Sequence, residues 1–404
     1  MKAAVITLGC KVNEAESASI MSALESLGWE VGCKPEYAEA YVLNTCAVTR
    51  EAEKKSRQLI ARVKKFNPEA KIFVCGCASE KSPLDFEERG VTYVCGARKK
   101  ERIIEAFCRE FGGEVKGFHY PKQVKTRAFI KIQDGCNNFC SYCIIPYLRG
   151  REVSRPIQDI AEEVKHTHSP EIVLNGINIS SYEYGLPQLI YALHGVDKRI
   201  RLGSLECSAI TEELLTALKG LTDFAPQFHL SLQSGSGRVL KAMNRHYTRA
   251  EYLEKCNAVY KAFPSAAITT DIIAGFATET DEDFEESLSI IEEAGFARVH
   301  AFAYSPREGT VAFRLKDVPP EVKSRRLHRL LEAGKAVADK FAQKFLGSEQ
   351  EIIAEEFSDG YTGGYTGNYI RVYVSGELCA GKKYPVKLLK LFKDGVLAEI
   401  NGQE

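Results

Sequence analysis

An α/β fold in three parts is predicted for this chain of 404 residues: an N-terminal open parallel α/β sheet over 1–112, a partial (β/α)6 barrel over 127–346, and a small all-β barrel over 347–404, with a polar linker at 113–126. Three observations predict it. Apolar runs at 5–8, 40–43, 71–74 and 92–94 alternate with helical patterns such as 14–27 and 51–66, as parallel strands joined by crossover helices do. The alternation recurs on a larger scale, with strand-like segments at 128–132, 171–174, 200–202, 227–232, 267–273 and 298–303. Beyond 347 the strands shorten and turns crowd together in SDGYTGGYTGNYIRVYV, and Asp394-Gly395 is a hairpin signal.

The first part begins MKAAVITLGC, which reads as a core strand and lacks the charged region and cleavage site of a signal peptide. The linker is marked by Gly112, Gly113, Gly117 and Pro121. In the second part the pattern at 281–294 is helical, and the last helix, 322–345, is long and basic on one side. No apolar run approaches the roughly 20 residues that span a bilayer, so a cytoplasmic protein without a membrane partner is expected. Formal net charge is zero, so composition alone does not argue for nucleic acid. Basic clusters occur at 54–65, 98–102, 323–329 and 382–390; each reads equally as a solvated face.

Thirteen cysteines, an odd count in a reducing compartment, point to metal or redox chemistry for some of them. CNNFCSYC places Cys136, Cys140 and Cys143 within eight residues, directly after a predicted strand. Three thiolates so close can hold three corners of an iron–sulfur cubane and leave one iron open. Zinc is the competing metal, but it usually closes with a fourth Cys or His nearby, and the next downstream histidine is His166, in a predicted helix. Cys10, Cys46 and Cys77 each sit just past a strand of the first sheet. The carboxyl ends of parallel strands form one crevice, so these three thiols are expected to converge as a second site. Cys75, two residues before Cys77, is an alternate ligand or a core residue. Cys33, Cys95, Cys108, Cys207, Cys256 and Cys379 read as structural thiols.

The Cys-x3-Cys-x2-Cys run, with Tyr142 before its last cysteine, resembles the signature of radical S-adenosylmethionine (SAM) enzymes. The resemblance implies a 4Fe–4S cluster whose unique iron binds the amino and carboxyl groups of SAM, and an electron that cleaves SAM to a 5′-deoxyadenosyl radical. It points to SAM-binding positions at the carboxyl ends of later strands: Asn175 and Gly176 in NGINI, Ser204 and Glu206, Ser231 and Gln233 in HLSLQSGS, and Gly275 in IIAGF. Arg245 in MNRHYT is a candidate partner for a carboxylate.

TLGCKVN at 7–13, NTCAVT at 44–49, CGC at 75–77 and CNNFCSYC together resemble the methylthiotransferase branch of these enzymes, over essentially the whole chain. The departure is the first Cys of CGC, where another residue type is expected. The resemblance implies a second 4Fe–4S cluster on Cys10, Cys46 and Cys77, where sulfur is methylated by one SAM while a second SAM supplies the radical. It also implies a carboxyl-terminal RNA-binding TRAM barrel, tRNA as partner, an electron donor such as flavodoxin or ferredoxin, and a monomer. Tyr361, Tyr365, Tyr369 and Tyr373 are candidates for base stacking, and Lys382, Lys383 and Lys387 for phosphate contacts. Lys11 and Val12 in LGCKVN resemble the group that acts on N6-threonylcarbamoyladenosine at tRNA position 37. The isopentenyladenosine enzymes are expected to read more like YGCQMN, and those modifying a ribosomal-protein aspartate more like LGCPKN. Those substrates remain alternatives, as does a non-catalytic zinc-containing RNA-binding protein.

Overall fold

The computed structural model describes residues 1–115, 121 and 126–401, so most of the expected linker 113–126 lies outside the described residues. The N-terminal sheet holds β1 (Lys2–Thr7), β2 (Glu30–Gly32), β3 (Ala40–Thr45), β4 (Lys71–Gly76) and β5 (Tyr93–Val94), all parallel, in the order β2-β1-β3-β4-β5. Its strands read as continuous apolar runs because both faces are covered. Ala4, Ile6, Leu43 and Val74 serve one core, and Ala3, Val5, Val42 and Phe73 the other. Helix α1 (Lys11–Ser26) follows β1, and α2 (Arg50–Lys64) follows β3. The short strand β2 is absent from the expected set; its three residues carry too little pattern to register.

The middle of the chain forms two sheets that curve into one wall. One holds β6 (Arg127–Asp134), β7 (Val153–Ser154), β8 (Glu171–Gly176), β9 (Arg199–Leu202) and β11 (Asp223–Phe224), in the order β11-β9-β8-β6-β7. The other holds β10 (Ser204–Leu205), β12 (Gln227–Leu230), β13 (Ala267–Ala274) and β14 (Arg298–Ala303), in the order β10-β12-β13-β14. The six long strands are those expected, and β6 and β14 lie at opposite ends of the wall. Alternate residues pack outward into the largest core, among them Ile130, Leu174, Leu202, Leu230 and Ile272.

The N-terminal domain reaches both ends of this wall. Helix α1 packs against β6 and β8. On the other side Glu53 of α2 pairs with buried Arg307, in the loop after β14.

Helix α3 (Ile145–Arg149) follows the central cysteines, and α4 (Pro320–Gln343) is the long helix expected near 322–345. Strands β15 (Glu349–Ser358), β16 (Tyr361–Thr366), β17 (Arg371–Ser375), β18 (Lys383–Phe392) and β19 (Gly395–Ile400) close into a five-stranded barrel. Its hairpin turn falls one residue earlier than Asp394-Gly395: Phe392 pairs with Gly395, so Lys393 and Asp394 form the loop, and Lys393 takes the positive φ of 51°.

Candidate metal centres

Cys10 caps α1, Cys46 directly follows β3, and Cys77 opens the short helix after β4. These strands are neighbours, so the three thiols share the crevice at their carboxyl ends. Cys46 feels the charges of Cys77 and Cys10, and Cys77 that of Cys10. Close backbone approach makes this possible. Gly9 has φ +109°, and a Cβ there would lie 2.8 Å from Cys46 Cβ and 2.9 Å from its Sγ. Gly76 has φ +110°, and a Cβ there would meet the Thr45 carbonyl oxygen at 2.4 Å. Only glycine meets both demands at either position.

Polar side chains of the same motifs hold the crevice loops. Asn13 Nδ2 donates to the carbonyls of Leu8 (2.7 Å) and Thr45 (3.1 Å). Asn44 Nδ2 donates to Asn13 O at 3.0 Å. Ser56 of α2 accepts from Cys46 N and donates to Cys46 O, both at 3.2 Å. Burial pushes the Cys46 and Cys77 thiols up. Cys75 lies in the core beneath, packed with Ala3 and Val5, and burial pushes its thiol up to about 11.

Cys136, Cys140 and Cys143 occupy the loop after β6. Cys143 feels both partners, and burial pushes its thiol up to about 12. The loop is pinned at several points. Cys136 N donates to Gly150 O (3.1 Å) and Ser141 N to Met243 O (3.0 Å). Asn244 Nδ2 donates to the carbonyls of Asn138 (3.1 Å) and Phe139 (3.2 Å), and Phe139 is held in the left-handed region at φ 46°. A strained non-glycine residue persists only where its surroundings over-determine it.

Around this trio the predicted SAM positions divide. Arg245 Nη1 donates to Cys140 Sγ at 3.3 Å and pairs with Glu206 at 3.0 Å, and Glu206 accepts from Asn138 at 2.7 Å. Arg245 Nε donates to the Tyr247 hydroxyl, which donates to Ser231 O at 2.8 Å. Asn175 is 2% exposed, and neither its Oδ1 nor its Nδ2 has a partner. Ser204 is exposed at the start of β10. Gln233, with φ 71°, bridges to Ile272. Three of the nine are occupied with packing. Tyr142 meets Phe276 edge-on at 6.4 Å, Gly176 lies against Gln133 of β6, and Gly275 against the side chain of Lys323.

Six cysteines in two open trios, none disulfide-bonded, suit iron–sulfur ligation. Among the described residues no three His, Cys, Asp or Glu side chains are grouped tightly enough for one metal ion.

The tyrosines expected to stack bases are engaged within the protein. Tyr365 and Tyr369 stack on each other, with centroids 4.6 Å apart, beneath the guanidiniums of Arg127 and Arg201. Tyr361 and Tyr373 pack against Phe392. Lys383 pairs with Asp223 at 2.6 Å, while Lys382 and Lys387 stay exposed. Arg201 pairs with Glu171 (2.8 Å) and donates to Gly367 O (3.2 Å), so the C-terminal barrel closes the amino-terminal end of the central one.

Residues that the motifs did not single out complete the site. Arg149 on α3 bonds Glu16, Asp134 and Asn13, and α3 packs against the short helix that Cys77 opens. Its only sequence signal was a position six residues after Cys143.

Residues 2–96 match the family described as "Uncharacterized protein family UPF0004", and residues 130–291 match the radical SAM superfamily. The threonylcarbamoyladenosine tRNA methylthiotransferase MtaB of Chlamydia pneumoniae is 36% identical over 98% of this chain and 97% of its own length. The Bacillus subtilis protein of that name is 36% identical over 87% of this chain and 84% of its own. The tRNA-2-methylthio-N(6)-dimethylallyladenosine synthase of Oceanobacillus iheyensis is 36% identical over 86% of this chain and 73% of its own. Among solved structures, the radical SAM methyltransferase TsrM of Kitasatospora setae superposes with TM-score 0.57 at 12% identity, over 90% of this chain and 80% of that one, a likeness of fold. The chain belongs to the radical SAM methylthiotransferase family, enzymes that work with a 4Fe–4S cluster and SAM.

Proposed function

We propose that this protein adds a methylthio group to C2 of N6-threonylcarbamoyladenosine at position 37 of tRNA, next to the anticodon. The observation that carries the reading is the 36% identity to an enzyme named for that substrate, over 98% of this chain and 97% of the relative. Lys11 and Val12 in LGCKVN agree with it.

In this reading Cys136, Cys140 and Cys143 hold the SAM-cleaving cluster, and Cys10, Cys46 and Cys77 hold a second one. When bound, the first supplies the electron for radical formation and the second an open iron for the sulfur to be methylated, so SAM serves both as radical source and as methyl donor. The chain's own residues position the reactants. Arg245 steadies Cys140 and presents positive charge beside Glu206. Asn175 offers an unspent amide to a ligand in the barrel. His229 and Asp271, 3.1 Å apart on adjacent strands, and the neighbouring His300 line the interior beside Lys11 as polar partners for the flipped-out base. The closed floor at Arg127, Glu171 and Arg201 excludes water from that side.

Residues 1–112, 127–346 and 347–404 act as cluster, radical and RNA-facing domains of a monomer, reduced by flavodoxin or ferredoxin in the cytoplasm. No helix among the described residues is long and apolar enough to cross a membrane. Nucleoside mass spectrometry of tRNA from cells with and without the gene tests the substrate. Loss of the methylthio derivative of threonylcarbamoyladenosine is expected. Loss of the dimethylallyladenosine derivative instead establishes the second reading, which the Oceanobacillus iheyensis relative favours.

A further inference from the structure

Arg149 is 6% exposed and sits among more positive than negative charge. Its Nη1 donates to Glu16 at 3.0 Å and to Asp134 at 2.9 Å, and its Nη2 to Asn13 Oδ1 at 2.6 Å. Lys100 and Lys131 converge on the same Glu16, and Lys131 also on Asp134. Three cations therefore face two carboxylates, leaving one positive charge over. Arg149 Nε–H is buried with no hydrogen bond satisfied. The short helix that Cys77 opens packs against α3, and Cys77 shares a core with Ile144 and Leu148, so its sulfur lies beside the guanidinium with no hydrogen bond yet formed between them. A neutral thiol is a weak acceptor, whereas a metal-bound thiolate carries the missing negative charge and forms a charge-assisted hydrogen bond.

We propose that Arg149 is a positioning residue for the second cluster, donating Nε–H to the Cys77 sulfur and raising that cluster's reduction potential. The inference rests on the reading of Cys10, Cys46 and Cys77 as the ligands of that cluster. Hydrogen bonds and positive charge at a ligating sulfur stabilise the reduced, more negative state. The donor lies on α3, the five-residue helix that starts two residues after Cys143. One short element thus joins the two trios, and the second cluster is tuned from the domain that generates the radical.

The test uses the full-length chain with Cys136, Cys140 and Cys143 changed to Ala, reconstituted anaerobically so that only the N-terminal trio binds iron. Iron content, thermal melting and an EPR-monitored redox titration are compared with and without Arg149→Gln and Arg149→Lys. Roughly four irons per chain are expected in all three proteins. The midpoint potential is expected to fall in Arg149→Gln, and to fall less in Arg149→Lys, which keeps the charge and the reach to Glu16 but loses the Nε donor. Unchanged potentials in folded, iron-loaded variants overturn the proposal. So does loss of the fold in both variants, which would make Arg149 structural alone. If the parent with only the N-terminal trio binds no iron, the two-cluster reading itself has failed.

Discussion

Cys10 is exposed while Cys46 and Cys77 are buried, so the N-terminal trio forms a half-open cup with two thiols in its wall and one at its rim. Removing the rim thiol leaves the fold's core untouched. Cys10→Ala is therefore expected to lower iron from roughly eight to roughly four per chain, to keep cleavage of SAM to 5′-deoxyadenosine, and to abolish the methylthio product. Cys140→Ala is expected to stop the cleavage itself; iron assay and chromatography of the nucleosides check both. Asn175 makes a different case. Its amide is buried with both atoms unpartnered, and an unsatisfied buried polar group costs about 1–3 kcal/mol. In the proposed reading that amide is held for SAM. Asn175→Leu is expected to melt at the same or a higher temperature than the parent and to bind SAM at least several-fold more weakly in equilibrium dialysis. A stable variant with unchanged SAM binding would remove Asn175 from the site.

At the scale of elements, the turn between β4 and Cys77 is the most demanding in the N-terminal sheet. Gly76→Ala places a methyl 2.4 Å from a backbone oxygen at φ +110°, and neither the carbonyl nor the dihedral has room to yield. A loss of about 2 kcal/mol or more is expected, read as a lower melting temperature, together with loss of the N-terminal iron as Cys77 is displaced. This element also shows what the sequence made legible. The placement of Cys10, Cys46 and Cys77 after neighbouring strands was readable because parallel strands end on one side of their sheet, and Cys136, Cys140 and Cys143 were readable because they lie within eight residues. The six long barrel strands were readable from apolar alternation. Arg149 was not, because its partners Asn13 and Glu16 lie more than a hundred residues away and no periodicity links them. The packing of the C-terminal tyrosines was hidden for the same reason. Tyr365 and Tyr369 have the composition of a base-stacking surface, and only packing against Arg127 and Arg201 shows that they seal the barrel floor.

At the scale of the whole molecule, the N-terminal sheet is held on the barrel by charge as well as by apolar packing. Glu16 of α1 meets Lys100 from its own domain, and Lys131 and Arg149 from the barrel. Burial alone would raise its carboxyl, but the three cations outweigh burial and hold it well below the usual carboxylate range. A depressed folded-state value means that the unfolded chain takes up the proton first. The stabilisation is complete above the ordinary value of 4.5 and drains away as pH falls below it. Thermal melting of the iron-free protein is therefore expected to be flat in this contribution from neutral pH down to about 5, and to fall steeply at more acid values. Glu16→Gln removes the carboxylate and leaves buried Lys100 and Arg149 and half-buried Lys131 with Asp134 as the one remaining carboxylate of the cluster. It is expected to cost about 3–5 kcal/mol at neutral pH and to flatten the acid limb of the melting curve. The difference between parent and variant is the quantity to measure, because other carboxylates titrate equally in both. A parent and a Glu16→Gln protein whose melting temperatures run parallel from pH 7 to pH 4 would show that the domain contact is held by apolar packing alone.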